Sequence, residues 1–451
     1  RLGLFEVSKL DKILELVSDY IIEQQNIEWK PGEDWIAYSG PVYDDEEYVA
    51  AIKSLLGQWL IFGQDARKFE LEFPQYLGKK FGSLTNSGSS ANLLMVSALK
   101  SKNWLSLPEG TKIITPIVCF PTTLNPILQS GFEPVFVDVT LPDLNLDLDQ
   151  VERLLEADVN HEIKAIMFAH VLGNPPNLDR LMELVQKYDL VFLEDACDAL
   201  GSTYDGKKLG SFGEVSTCSF FPAHHMTMGE GGFVATDNYK VRKIVASIRD
   251  WGRACYCNTS KPGPVLKGTA CGNRFKNWLP EAKEIIYDHR YVFDEIGYNL
   301  KPLELQAAMG LQQLKKLNTL DDARKKNWQR LTTIFKPYEE YFYLPKATEK
   351  SDPCWFAYLL TVKDSAPFDR GDIVKYLEGA KIQTRAYFAG NILYHPGYSH
   401  LISPNENLKV EYPIAHKVTI SSFFLGTFAG ITDEKLDYIE ETVNKFMDEY
   451  R

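Results

Sequence analysis

The spacing of apolar residues switches repeatedly along the chain between short continuous runs and the 3.6-residue period of a helix. This switching predicts an alternation of strands and helices. Short apolar runs predict strands at 112–117, 134–139, 164–170, 190–195, 214–221 and 233–237. Apolar residues at helical spacing predict intervening helices at 122–129, 148–157 and 178–188. This alternation is typical of βαβ units and a largely parallel sheet, which binds ligands beyond the C-terminal ends of its strands.

Further helical patterns mark both ends of the chain. Ser8 and Asp11 form a capping box for a helix over residues 8–24, and Thr432 is expected to cap the last helix. A long helix follows the turn at 296–300, with apolar positions up to Leu317. We therefore expect an N-terminal helix and arm (1–38), a large domain (39–318) with an insertion at 251–290, and a small domain (319–451).

Composition narrows the function classes. The 451 residues carry a net charge of −12, which disfavours nucleic acid and anionic membranes as partners. No apolar run reaches the length of a membrane span, and the chain begins without a signal-peptide pattern. Seven cysteines in a chain of this length do not indicate a disulfide framework. We therefore expect a cytoplasmic protein that uses its cysteines as thiols or as ligands of a metal or cluster.

Small residues at 85–92 run directly into an apolar helical pattern. Free backbone N–H groups at such a helix start attract anions, so Gly88, Ser89 and Ser90 are candidates for a phosphate site, with Ser219 as a further donor. The alternative is an ordinary helix cap.

Asp195 ends the apolar strand at 190–195. It is either a turn residue or a buried carboxylate that faces a pyridinium nitrogen, which needs a fixed anion to stay protonated. In the second interpretation Phe120 and Asp198 flank the ring. The turn that follows the strand at 214–221 carries His224 and His225. Such an imidazole is either a packed polar group or a proton carrier near neutral pH.

Four cysteines form a possible ligand set: Cys197, Cys255, Cys257 and Cys271. Their spacing lacks the two closely spaced cysteine pairs of common zinc sites. The four cysteines are therefore ligands of zinc, ligands of an iron–sulfur cluster or unrelated thiols, and the spacing does not decide among these. We interpret Cys119, Cys218 and Cys354 as buried thiols.

Five motifs carry a resemblance to one family: Ser87-Gly-Ser-Ser-Ala-Asn, Gly131-Phe-Glu-Pro-Val-Phe-Val-Asp, Glu194-Asp-Ala-Cys-Asp-Ala-Leu-Gly, Phe221-Pro-Ala-His-His-Met-Thr-Met-Gly-Glu-Gly-Gly and Arg249-Asp-Trp-Gly-Arg-Ala-Cys-Tyr-Cys. Together they resemble the CDP-4-keto-6-deoxyglucose-3-dehydrases of the DegT/DnrJ/EryC1/StrS aminotransferase group. The resemblance implies an α/β chain of the aspartate-aminotransferase fold (fold type I), with a mostly parallel central sheet and a smaller C-terminal α+β domain. It also implies a homodimer.

The resemblance further implies cofactors and residue roles. His224 stands where related aminotransferases carry the lysine that binds pyridoxal phosphate (PLP), so the cofactor is expected to be pyridoxamine phosphate (PMP), held without a covalent bond. By motif, His224 is the base that takes the C4′ proton, and His225 and Phe356 lie near the sugar. The implied cofactor contacts are Gly88, Ser89, Ser90, Phe120, Asp195, Asp198, Ser219 and, from the other subunit, Asn299. The four cysteines named above are implied to hold a [2Fe-2S] cluster.

The implied reaction removes the C3 hydroxyl of a nucleotide-linked 4-keto-6-deoxyhexose, with CDP-4-keto-6-deoxy-D-glucose as the expected substrate. It belongs to 3,6-dideoxyhexose and O-antigen synthesis and needs an NADH-dependent iron–sulfur flavoprotein reductase. Three alternatives differ in class: a PLP aminotransferase, which lacks its lysine here; a dehydratase without a cluster, acting on a dTDP- or GDP-sugar; and a binding protein without catalysis. Residues 261–268 are interpreted as a loop insertion between Cys257 and Cys271.

Overall fold

The computed structural model describes residues 8–25, 28–255 and 273–450. Its α-helices are α1 Lys9–Gln24, α2 Asp45–Leu56, α3 Gln64–Leu77, α4 Gly88–Ser97, α5 Pro121–Gln129, α6 Leu148–Ala157, α7 Leu178–Lys187, α8 Tyr239–Arg249, α9 Glu304–Phe335, α10 Arg370–Gly379, α11 Leu408–Glu411, α12 Pro413–Ser421 and α13 Asp433–Asp448. Its strands are β1 Phe81–Thr85, β2 Lys112–Pro116, β3 Glu133–Val137, β4 Ile163–Ala169, β5 Val191–Asp195, β6 Thr203–Tyr204, β7 Lys207–Lys208, β8 Val215–Ser219, β9 Gly232–Thr236, β10 Phe275–Lys276, β11 Tyr287–Asp288, β12 Phe342–Tyr343, β13 Ser351–Asp352, β14 Ala357–Val362, β15 Arg385–Ala386 and β16 Ser422–Gly426.

The largest sheet within these described residues has seven strands in the order β1-β9-β8-β5-β4-β2-β3. Strands β2, β3, β4, β5 and β8 pair in parallel, whereas β9 runs antiparallel to both of its neighbours, β1 and β8. The predicted mostly parallel sheet is therefore confirmed. The turn with the two histidines connects β8 to the antiparallel β9, so it lies at the C-terminal end of the parallel strands.

Both faces of this sheet are covered, which explains why its strands have nearly continuous apolar sequences. Neighbouring residues in β2 alternate: Ile114 packs with α3, α6, α7 and the first half of α9, whereas Ile113 packs with α4 and α8. Since the side chains of a strand alternate in direction, each layer of helices receives every second residue.

Helix α9 links the large sheet to a second, smaller core. Leu311 and Leu317 pack with the large sheet, while Leu331 and Phe335 pack with α10, α13 and the antiparallel sheet β12-β14-β16-β15. The apolar spacing predicts this helix only as far as Leu317, but the helix continues to Phe335. The proposed domain boundary at 318/319 falls within the helix and stays a prediction.

The other predicted elements agree closely with the structure. The predicted α6 has the observed bounds Leu148–Ala157, and the capping box of Ser8 and Asp11 is formed. Thr432 precedes α13 as expected, but its side chain makes no capping hydrogen bond. Within the described part of the chain, no helix combines the length and apolar character that a membrane crossing needs.

Candidate active site

A cavity of about 640 Å³ lies where the C-terminal ends of β5 and β8 meet the start of α4. Cavities of this size are typical of small-molecule sites. Its lining includes nine residues predicted from the sequence: Gly88, Ser89, Phe120, Asp195, Cys197, Asp198, Ser219, His224 and Phe356. The fold thus brings together side chains from five separate segments of the chain.

The first wall is the start of α4. The Ser87 hydroxyl caps the helix by accepting the Ser90 N–H at 3.1 Å. The amides of Gly88 and Ser89 precede the first intrahelical donors and are free for an anion. A Cβ on Gly88 would lie 2.5 Å from the Cβ of Ser219, so only glycine lets the helix start approach β8 this closely. The result is an uncharged cradle of amides and hydroxyls suited to a phosphate.

Asp195 forms the floor and is 3% exposed. Its Oδ2 accepts hydrogen bonds from Asn92 Nδ2 at 2.8 Å and Thr123 Oγ1 at 2.9 Å, and Oδ1 accepts the Cys197 N–H at 3.1 Å. The Thr217 hydroxyl donates to Asn92 Oδ1 at 2.6 Å and so orients that amide. No lysine or arginine of the described ranges forms an ion pair with Asp195. Three hydrogen bonds therefore hold the buried carboxyl group of Asp195 in place.

His224 stands on the turn after β8, and its ring lies beside Asp198 and Phe356. Its Nδ1 lies 3.3 Å from Asp198 Oδ1, within ion-pair distance but not aligned as a hydrogen bond. Its ring centroid lies 5.5 Å from that of Phe356. A histidine beside a carboxylate on a cavity wall is placed to accept a proton and to be stabilised once charged.

The backbone of the same turn is anchored from two other parts of the chain. The Ser39 hydroxyl donates to the Ala223 carbonyl at 2.7 Å. The buried Arg324 of α9 donates to the carbonyls of Ala223 at 3.3 Å and His224 at 3.1 Å. Its other terminal nitrogen donates to the Phe356 carbonyl at 3.0 Å. One guanidinium thus connects the histidine turn to the strand start that carries Phe356.

Phe120 also lines the cavity and lies directly before α5. It is 50% exposed, although the helix that follows buries Thr123, Leu124, Pro126 and Ile127. An exposed phenyl ring on a cavity wall, close to a buried carboxylate and an anion cradle, is a platform for a flat aromatic ligand.

Comparison with known proteins identifies the family. The model of the DegT/DnrJ/EryC1/StrS aminotransferase family matches residues 41–444. The chain belongs to this family. The fold agrees with it: a crystal structure of a GDP-4-keto-6-deoxymannose-3-dehydratase mutant with bound GDP-perosamine has a TM-score of 0.78 and 28% identity, covering 91% of this chain and all of that one. The predicted fold type I architecture is confirmed.

Curated relatives of this DegT/DnrJ/EryC1/StrS protein cover nearly its whole length. A dTDP-4-dehydro-2,6-dideoxy-D-glucose 3-dehydratase of Saccharopolyspora spinosa is 41% identical over 97% of this chain and 92% of its own. The lipopolysaccharide biosynthesis protein RfbH of Salmonella typhimurium is 40% identical over 97% of both chains. A GDP-4-keto-6-deoxy-D-mannose 3-dehydratase of Yersinia pseudotuberculosis is 31% identical over 90% and 95%. The protein is an enzyme of the sugar 3-dehydratase and aminotransferase group.

Some predicted site residues of this family member lie elsewhere. Ser90 is engaged in the α4 cap and does not line the cavity. The structure also places His225 outside it: the ring is 2% exposed, and Nε2 lies 2.7 Å from the Cys354 carbonyl oxygen. Burial and the charge of Arg324 lower the pKa of His225 well below its ordinary value. His225 is therefore a packed residue in this structure, and its predicted place near the sugar stays a prediction.

Asn299 and three cysteines complete the predicted set. Asn299 is exposed and accepts a hydrogen bond from Lys301 Nζ at 2.9 Å, away from the cavity of its own chain.

Cys197 lines the cavity and Cys255 is half-buried after α8. Cys257 and Cys271 lie outside the described residues, and no metal-ligand cluster occurs within the described ones. Cys119, Cys218 and Cys354 are buried free thiols, as predicted.

Several residues that shape the site are not among those predicted from the sequence. Asn92 and Thr123 hold Asp195, Arg324 anchors the histidine turn, and Tyr38 and Arg385 line the cavity. Asn92 was within a quoted motif and carried a detectable signal, because a polar residue among the apolar positions of a helix needs a buried partner. The others come from distant segments and had no local signal.

Proposed function

We propose that the protein removes the C3 hydroxyl of a nucleotide-linked 4-keto-6-deoxyhexose with PMP as its cofactor. The proposal rests mainly on the position of His224, which lies on the cavity wall in the turn after β8, 3.3 Å from Asp198. The chain has this histidine, and no lysine, at the position where related aminotransferases carry the lysine that binds PLP. An imidazole moves protons near neutral pH but does not bind a cofactor aldehyde covalently.

The residues present fit a pyridoxamine phosphate. Gly88, Ser89 and Ser219 form the cradle for its phosphate, Asp195 is the buried anion for its ring nitrogen, and Phe120 is the platform for its ring. Bound there, the cofactor supplies an amine that joins the sugar's keto group and a ring that accepts electrons. A related GDP-4-keto-6-deoxy-D-mannose-3-dehydratase of 30% identity has been solved with bound hydrated PLP, which supports the assignment.

The side chains of the cavity have separate roles in the proposed reaction. Asp195 keeps its negative charge in place through three hydrogen bonds, so it favours a protonated ring nitrogen. His224 takes the proton next to the amine, and Asp198 stabilises the resulting imidazolium. Phe356 packs against His224 and excludes water from that side of the sugar.

CDP-4-keto-6-deoxy-D-glucose is the substrate that we propose, in the synthesis of a 3,6-dideoxyhexose for a surface polysaccharide. The RfbH relative, named for lipopolysaccharide biosynthesis, supports this pathway. The dTDP- and GDP-linked sugars of the two other relatives are the competing substrates.

A [2Fe-2S] cluster on Cys197, Cys255, Cys257 and Cys271 and a flavoprotein reductase complete the proposal. Cys197 supports it, because this thiol lines the cavity two residues from Asp195, and a redox centre must lie near the group that it reduces. When bound, the cluster supplies single electrons. The cytoplasmic location expected from the free cysteines belongs to the same proposal.

A homodimer is the assembly that we propose. Apolar side chains are exposed on two neighbouring segments joined by the bridge of Ile61 to Leu303, including Ile61 at 56%, Phe293 at 52% and Ile296 at 98%. Such a concentration of exposed apolar surface favours a protein partner. Asn299 lies in the second of these segments, as the resemblance implies for a residue that serves the other subunit.

The decisive experiment incubates the PMP-loaded protein with CDP-, dTDP- and GDP-linked 4-keto-6-deoxyhexoses and follows the loss of the C3 oxygen by mass spectrometry. We expect loss with the CDP-sugar, and none in His224→Asn. Stable product with an intact 3-hydroxyl and a new 4-amino group would instead identify an aminotransferase. Dehydration by iron-free protein at the full rate, ending in a 4-keto-3-deoxy product with release of ammonia, would identify a dehydratase without a cluster.

A further inference from the structure

Arg385 is the only lysine or arginine among the described residues that line the cavity. The same lining holds three carboxylates, Asp195, Asp198 and Glu230. The cradle for the cofactor phosphate is uncharged, and it accommodates one phosphate at the start of α4. A ligand that brings further phosphates into this acidic cavity therefore meets one fixed cation, and that cation is Arg385.

The guanidinium of Arg385 is held in place without a carboxylate. Its carbon atom lies 4.4 Å from the ring centroid of Tyr38, and Nη1 donates to the Thr384 carbonyl at 2.7 Å. No ion pair involves Arg385 within the part of the chain that the structure describes. Since a guanidinium carries five N–H donors, most of them remain free for a ligand. Stacking on an aromatic ring limits the entropy lost when such a group binds.

A row of aromatic rings separates Arg385 from the catalytic histidine. Tyr38 packs on Phe424 with centroids 5.9 Å apart, and Phe424 packs on Phe356 at 6.2 Å. Phe356 in turn packs on His224 at 5.5 Å. Strand β15 pairs Arg385 with Phe424, and the guanidinium of Arg385 stacks on Tyr38 at the far end of this row. A hexose that lies along Phe356 with C4 near His224 would therefore direct its anomeric substituent away from the cofactor.

We propose that Arg385 binds the diphosphate of the nucleotide-linked sugar. Arginine pairs with phosphate through two parallel charge-assisted hydrogen bonds, which gives both affinity and orientation. The inference rests on the proposed function for the identity of the sugar, but the site itself requires only a nucleoside diphosphate.

Isothermal titration calorimetry of the PMP-loaded protein with CDP, dTDP, GDP and UDP tests the site without turnover. For the nucleotide that binds best, we expect Arg385→Gln to raise Kd about 10- to 100-fold, the range of a lost charge-assisted pair. Arg385→Lys keeps the charge and should recover part of the affinity. Lys381→Gln is the matched control, because Lys381 is a nearby cation stacked on Trp35 that does not line the cavity.

The matching nucleoside monophosphate gives a second, internal measure. In the parent protein the diphosphate should bind more tightly than the monophosphate, and Arg385→Gln should abolish most of that preference. An unchanged Kd in Arg385→Gln, an equal loss in Lys381→Gln, or the absence of diphosphate binding in the parent would overturn the inference.

Turnover separates this inference from the proposed function. If the parent dehydrates no sugar but Arg385→Gln still loses diphosphate affinity, the diphosphate site stands and the reaction is wrong. If the parent dehydrates the sugar and Arg385→Gln keeps its KM and Kd, the reaction stands and the diphosphate site is wrong.

Discussion

Arg324 donates a hydrogen bond to the backbone carbonyl of His224 at 3.1 Å, although the two residues lie on elements that are far apart in the chain. Arg324 is 2% exposed, and its guanidinium also donates to the carbonyls of Ala223 and Phe356. Burial lowers the pKa of Arg324, but neighbouring Asp321 and Asp198 favour its charged form. The position of the proposed base thus depends on a buried cation that takes no part in the chemistry itself.

Replacement of Arg324 by lysine tests this positioning role. A lysine ammonium keeps the charge but does not reach three carbonyls with a planar fork. We expect kcat to fall about 10- to 100-fold, as one or two lost charged hydrogen bonds allow, with KM and PMP affinity nearly unchanged. Steady-state kinetics and cofactor titration measure this split. Lys325→Gln, on the exposed ion pair with Asp352, is the control, and equal losses in both variants would contradict the role.

His224→Lys should convert the site from noncovalent to covalent cofactor binding. A lysine amine at this position bonds to the aldehyde of PLP, whereas the parent should lose its cofactor on dialysis. Borohydride reduction followed by peptide mapping should find the modified residue at position 224 in the variant and no modified lysine in the parent. Dehydration should be abolished. A dehydration rate near that of the parent would exclude His224 as the base, and the packed position of His225 offers no replacement.

Asp195→Asn should weaken both cofactor binding and turnover. The amide removes the anion that faces the ring nitrogen, and its NH₂ group conflicts with the donors of Asn92 or Thr123. We expect turnover to fall by about 100-fold or more, which corresponds to some 3 kcal/mol of lost electrostatic stabilisation. Thr123→Val removes one donor but leaves the charge, so its effect should be milder. Equal effects of the two changes would argue that packing, not charge, is what Asp195 contributes.

Asp321 predicts a pH dependence of stability. Burial raises the pKa of this carboxyl to about 6, against the opposing influence of Cys354 and Arg324. The folded state therefore holds a proton that the unfolded state has released, and stability falls as pH rises from about 4 to 6. The shift corresponds to about 3 kcal/mol at most. The Tm of Asp321→Asn relative to the parent should rise across this window and level off above it. Asp322→Asn, an exposed neighbour, should show no such trend.

The cluster proposal predicts different outcomes for two sets of cysteines. Serine at position 197, 255, 257 or 271 should lower the iron content of anaerobically prepared protein and abolish reductive turnover, while release of the C3 hydroxyl persists. Alanine in place of the buried Cys119, Cys218 or Cys354 should leave the iron content unchanged. Iron and sulfide analysis with a visible spectrum measures both sets. Stoichiometric zinc without iron would refute the cluster.

The regular elements of the large sheet were determined by local sequence. The helix at Leu148–Ala157 and the strands around it were predictable because each buries one continuous apolar face against a layer of the same core. The same pattern placed Asp195 and the histidine turn at the C-terminal strand ends, which is where ligands of such sheets bind. Residues predicted from single segments therefore account for nine of those that line the cavity.

Helix α9 shows what only the tertiary structure decided. Its apolar spacing weakens after Leu317 because Asp321, Arg324 and Asn327 are buried polar residues in the interior between two cores. Asn327 donates to carbonyls of the segment after β16, and Arg324 donates to the histidine turn, so these partners lie 100 to 104 residues away. The spacing of apolar residues within one helix does not predict these hydrogen bonds. A buried polar residue is stabilised by backbone groups from distant parts of the chain, and the packed fold decides which groups those are. For the same reason, the cation of the cavity and the orientation of His225 were decided by packing alone.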